Sequence, residues 1–136
     1  MTTEPESEAI AQPFHILCAD DDLFVLAALN DALQAAGHRV ELVTNGLDAI
    51  NRIRAVPTDL DLIITDTRLL GLDGFGLVAK AREVGFSGKI IVFANPLSRE
   101  ERERFRELGV DRIVDKPDAA QELLSTVAGL ARARTA

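Results

Sequence analysis

Short apolar runs alternate with longer mixed runs along the chain. Residues 14–19, FHILCA, are nearly unbroken apolar. Residues 23–37, LFVLAALNDALQAAG, place Val25, Leu29, Leu33 and Ala36 at helical spacing and close on Gly37. The first pattern predicts a strand, the second a helix with a C-terminal stop. RVELV (39–43) predicts a strand, and GLDAINRIRA (46–55) a helix capped by Thr44 or Asn45. DLIIT (61–65) predicts a third strand, TRLLGLDG (67–74) a loop, and FGLVAKAREVG (75–85) a helix closed by Gly85. KIIVFA (89–94) predicts a fourth strand. SREERERFRELG (98–109) opens with a capping box, Ser98 and Glu101, and closes with Gly109. VDRIVD (110–115) predicts a fifth strand, and residues 118–133 a last helix behind a second capping box, Asp118 and Gln121.

Five strands thus alternate with five helices. Several strands are apolar throughout, as expected where helices cover both sheet faces. The fold class that follows is α/β, an open and mostly parallel sheet wound on both sides. Ligands of such sheets bind beyond the carboxyl ends of the strands.

Composition narrows the picture. The chain has 136 residues, 47% hydrophobic and 27% charged, enough for one domain with a core. We expect a flexible leader over residues 1–12, rich in Glu, Ser, Thr and Pro, and one domain over 13–134. A net charge of -7 argues against a nucleic-acid partner. No apolar run is long enough to span a membrane, and the acidic N-terminus does not resemble a signal peptide, so we expect a cytoplasmic protein. The single cysteine, Cys18, reads as a small hydrophobe in a buried strand.

Chemistry collects at the strand ends. Asp20, Asp21 and Asp22 follow the first strand and Asp66 the third. Ala94 and Asn95 close the fourth, and Lys116 and Pro117 follow the fifth. A parallel sheet gathers all of them on one edge. Clustered carboxylates repel one another unless a cation joins them. A hard divalent ion suits them: Mg²⁺ takes one or two carboxylates and prefers phosphate oxygens as further ligands. With Lys116 as a fixed cation, the edge becomes an environment for a phosphoryl group, which an aspartate can accept covalently. One aspartate of the three is expected to cap the following helix.

The segments ILCADDD, DLIITDTRLLGLDG and DRIVDKP resemble the receiver domain of two-component response regulators over about residues 14 to 132. That resemblance implies a flavodoxin-like strand order 2-1-3-4-5. It makes Asp66 the acceptor of a phosphoryl group from a histidine kinase or a histidine phosphotransfer protein. It makes Asp20 and Asp21 the acidic pair for Mg²⁺, with the Arg68 carbonyl a further ligand. Lys116 becomes the contact to the phosphoryl oxygens, and Pro117 the proline whose preceding peptide is commonly cis. Asp22 is left as the helix cap. Output would pass by protein contact, to a downstream protein or a homodimer, through the face of helix four, strand five and helix five.

The chain departs from that family's pattern in three places. Ala94 stands where a Thr or Ser hydroxyl would turn toward the phosphoryl group, leaving the Asn95 backbone N–H as a donor there. Ile113 stands where a Tyr or Phe ring would follow that hydroxyl, and Leu70 where the loop would hold a proline. We therefore expect an intact acceptor with an atypical switch. A pseudo-receiver that binds partners without phosphate is the alternative. The D-x-D of Asp20 and Asp22 also suggests a haloacid-dehalogenase-like phosphatase, but Phe24 stands where that motif wants Thr or Val, so no enzyme is expected.

Overall fold

The structure, a computed structural model, describes residues 13–116 and 120–133. The expected leader, Pro117 and the capping box at Asp118 lie outside the described residues. The strands are β1 (His15–Ala19), β2 (Arg39–Val43), β3 (Leu62–Thr65), β4 (Lys89–Ala94) and β5 (Arg112–Asp115). All pair in parallel in the order β2-β1-β3-β4-β5, as the resemblance implies. The four crossovers carry α1 (Leu23–Ala35), α2 (Gly46–Ala55), α3 (Gly74–Glu83) and α4 (Arg99–Glu107), and α5 (Ala120–Ala133) follows β5.

Alternation along the strands splits the core into two layers. Ile16, Cys18, Ile64, Ile91 and Phe93 face α1 and α5, while Leu17, Ala19, Ile63, Ile90 and Val92 face α2, α3 and α4. Both layers cover the central strands, which is why β1, β3 and β4 read as nearly continuous apolar runs while the edge strands β2 and β5 stay partly exposed. Each fully buried Leu, Ile or Phe contributes on the order of 1.5–3 kcal/mol.

Polar caps set the element ends. Asp22 accepts from the Phe24 and Val25 amides and starts α1 at Leu23. This leaves Leu23 and Phe24 in solvent and turns Leu26, Leu29 and Leu33 inward. Of the expected stripe, Val25 is half-buried and packs against the core with Leu29 and Leu33, while Ala36 lies exposed beyond the helix. Asn45, rather than Thr44, caps α2 by accepting from the Asp48 amide. Asp73 caps α3 by accepting from the Gly76 amide, which starts the helix one residue before the expected Phe75. The capping box of α4 forms in both directions between Ser98 and Glu101. A single 3-10 turn, Pro57–Asp59, is too short to show a period and went unpredicted.

Candidate functional site

Strand register assembles the site. Ala19 pairs with Thr65, so Asp20 and Asp66 emerge side by side, and the Asp66 amide donates to the Ala19 carbonyl at 3.0 Å. Ala94 pairs with Asp115, and the Lys116 amide donates to the Ala94 carbonyl at 2.7 Å, which aims Lys116 back across the edge. Its ammonium group lies 2.7 Å from Asp20 Oδ2 and 3.5 Å from Asp66 Oδ2. It also lies 5.7 Å from the centre of the Phe93 ring. Asp20, Asp21 and Asp66 each offer a carboxylate oxygen, and these oxygens lie within 4.8 Å of one another.

The three acids differ in surroundings. Asp20 is buried, Asp66 half-buried and Asp21 exposed. Burial pushes the Asp20 carboxyl above its ordinary value; the Lys116 hydrogen bond and the Asp22 amide oppose that, and the charge of Asp66 adds to it. Asp66 Oδ1 accepts from the Thr67 amide at 2.7 Å, which fixes its plane. Beneath them Cys18 is fully buried; burial first, and Asp20 second, push its thiol up to about 12.

The donor set fits a hard divalent cation. Among the described residues, three carboxylates converge on one rim as hard oxygen donors, and the Lys116 ammonium group stands against them. Asp22, spent as a cap, faces away from this duty.

The other singled-out residues fall around the rim. Arg68 is exposed and lines a shallow depression with Asp21, Thr67, Phe75 and Glu101. Asn95 is exposed and shares with Lys116 a groove of about 310 Å³ between α1 and α5. Ala94 is buried, its methyl packed in the layer under α3 and α4. Ile113 is half-buried against the same layer. Pro117 is outside the described residues.

Two clusters escaped the sequence. At the opposite edge of the sheet, buried His15 meets Glu41 Oε2 at 2.5 Å through Nε2 and the Asp59 carbonyl oxygen at 3.0 Å through Nδ1. Arg52 bridges Glu41 and Asp59, at 2.6 and 2.8 Å, and supplies the positive charge these carboxylates face. It also holds the Glu41 carboxyl below its ordinary value. The second cluster is aromatic. The Phe75 and Phe105 rings stack with centroids 4.0 Å apart at 14°, and the Arg104 guanidinium lies 4.0 Å from the Phe75 centroid. Two phenylalanines thirty positions apart give no local signal; only the packing of α4 on α3 reveals them.

The family model of the response regulator receiver domain matches residues 16–128. The response regulator MprA of Mycobacterium sp. strain KMS is 32% identical over 120 residues, 88% of this chain and 51% of that protein. The sensor histidine kinase RcsC of Salmonella typhi is 30% identical over 114 residues, 83% of this chain but 12% of the kinase. The chain therefore spans about half of one relative and a small part of the other. Among solved structures, a CheY-like response regulator receiver domain protein from Methanospirillum hungatei superposes with a TM-score of 0.83 at 23% identity, covering 90% of this chain and 97% of that one. Among the described residues, no helix is long and apolar enough to cross a membrane.

Proposed function

The chain belongs to the response regulator receiver domain family, and from that premise we propose that Asp66 is a phosphoryl acceptor served by a histidine kinase or a histidine phosphotransfer protein. The observation that carries this reading is the convergence of Asp20, Asp21 and Asp66 with the Lys116 ammonium group at one rim.

In the transfer, an Asp66 carboxylate oxygen attacks the phosphorus of a phosphohistidine. The P–O bond forms as the P–N bond breaks, and the departing imidazole nitrogen keeps the bonding pair and takes up a proton. The Thr67 amide, now on Asp66 Oδ1, holds the nucleophile in plane. Lys116 stands beside both Asp20 and Asp66, where it meets the charge of the arriving oxygens. Asp20 and Asp21, with Asp66 and the Arg68 carbonyl, would hold Mg²⁺, which when bound draws charge from the phosphoryl oxygens. Water then attacks the phosphorus, the acyl P–O bond breaks, and inorganic phosphate leaves with Asp66 restored.

The output side is atypical. Ala94 has no hydroxyl to turn toward the phosphoryl group, and Ile113 has no ring to follow it. Exposed Asn95 keeps its backbone N–H available as a donor to a phosphoryl oxygen. These substitutions favour a second reading, a binding module that works without phosphate. Incubation with acetyl phosphate and Mg²⁺, followed by intact mass, separates the two. A phosphoryl adduct on the wild type and none on Asp66→Asn supports the acceptor; no adduct on either supports the binding module.

A further inference from the structure

α4 rests on the sheet through very little. Phe105 is its single fully buried side chain, and most of its other residues are charged and face solvent. The half-buried ring stacked on Phe105 is Phe75, which also meets the guanidinium of Arg104 from α4. Arg102 adds an ion pair to Asp115 at 3.1 Å. The Phe75 ring on α3 is thus one of the contacts that place α4, beside the apolar layer Phe105 enters.

That ring is tied to the acceptor without slack. Gly74 donates its amide to the Thr67 carbonyl at 3.0 Å. A Cβ on Gly74 would meet the Asp66 carbonyl oxygen at 2.5 Å and the Thr67 Cα at 2.9 Å, so the two backbones are already in contact. Thr67 in turn donates to Asp66 Oδ1. Phosphorylation of Asp66 turns its carboxylate into a mixed anhydride, so the Thr67 amide then faces an uncharged oxygen and its charge-assisted hydrogen bond weakens. A shift of the Thr67 peptide bears directly on Gly74, whose backbone already touches it, and so on the adjoining Phe75.

Resting on the acceptor reading above, we infer that Phe75 supplies the coupling ring that Ala94 and Ile113 cannot: its stack with Phe105 links the state of Asp66 to the position of α4. Phe75 is a positioning residue here. It transmits through Phe105 and does not touch the transferring group.

Amide NMR of the full chain with Mg²⁺, before and after addition of beryllofluoride as a phosphoryl mimic, tests this. In the wild type, shifts are expected at Asp21 and Thr67 and also along α4. In Phe75→Leu the shifts at Asp21 and Thr67 stay and those along α4 are lost; in Phe75→Tyr, which keeps a ring, both stay. Equal α4 shifts in Phe75→Leu and wild type overturn the inference and leave the acceptor reading intact. No shift at Asp21 or Thr67 in the wild type overturns both. A second measurement is independent of that leucine variant. The chain has no Trp or Tyr, so Phe75→Trp carries a sole indole reporter at the ring itself. Its emission is expected to change on addition of beryllofluoride with Mg²⁺ and to stay constant when Asp66→Asn is also present. Emission that stays constant with Asp66 intact overturns the inference.

Discussion

Lys116 donates to Asp20 at 2.7 Å across 96 residues of chain, with the Asp20 side chain 2% exposed and that of Lys116 11%. The contact joins the ends of β1 and β5, which are not neighbours in the sheet. It fixes a cation inside a rim of acids and leaves Asp20 dependent on it.

Removing that cation has a predictable consequence. Lys116→Met leaves a buried carboxylate without its ion-pair partner, a change that costs about 3–5 kcal/mol in enclosed pairs. We predict a loss of that order in urea unfolding at neutral pH in chelator-treated buffer, with part of it recovered on adding Mg²⁺. A variant as stable as wild type without Mg²⁺ would show that the pair does not hold the rim.

The cluster around Glu41 predicts an acid limb of stability. Arg52, by hydrogen bond and charge, keeps the folded Glu41 carboxyl below its unfolded value, so the folded state binds fewer protons there. Stability from this group is present above the unfolded value and is lost as pH falls through the folded one. Glu41 is about a third exposed, so Glu41→Gln is predicted to cost only about 1 kcal/mol at neutral pH. Denaturant midpoints at falling pH should show the gap between variant and wild type closing. A gap that widened in acid would contradict the assignment.

Gly74 cannot accept a side chain without moving the acceptor. Gly74→Ala sets a methyl 2.5 Å from the Asp66 carbonyl oxygen, and overpacking of this kind costs about 1–3 kcal/mol. We predict a lowered melting temperature together with slower phosphoryl uptake from acetyl phosphate. Wild-type values for both would mean that α3 stands off the Asp66 backbone.

Cys18 should behave as an inert thiol. It is fully buried with its thiol pushed up to about 12, so almost no thiolate is present at neutral pH. A thiol-reactive dye is expected to label the native protein only at the rate of unfolding, and promptly in denaturant. Rapid labelling of the native protein would place Cys18 at the surface.

Much of this was legible in the sequence because one-dimensional signals carry it. Nearly continuous apolar runs marked β1, β3 and β4, and Ser98 with Glu101 marked the start of α4. Parallel strands bring their ends to one edge by topology alone, so Asp20, Asp21, Asp66 and Lys116 could be collected without coordinates. The α1 stripe was legible except at its last position: Val25, Leu29 and Leu33 pack on the core, but the helix ends at Ala35 and leaves Ala36 beyond it. The Arg52–Glu41–His15 cluster and the Phe75–Phe105 stack were invisible, since each depends on how separate elements pack. A histidine at a strand start or a phenylalanine after a glycine carries no period and no spacing of its own.

The central claim is that Asp66 is the group that takes the phosphoryl. Borohydride reduces an acyl phosphate to the alcohol and so marks the acceptor permanently. After treatment of the wild type with acetyl phosphate and Mg²⁺, then borohydride, peptide mass analysis should find homoserine at position 66, absent when acetyl phosphate is omitted. Conversion at Asp20 or Asp21 with Asp66 untouched, or no conversion at all, would contradict the account.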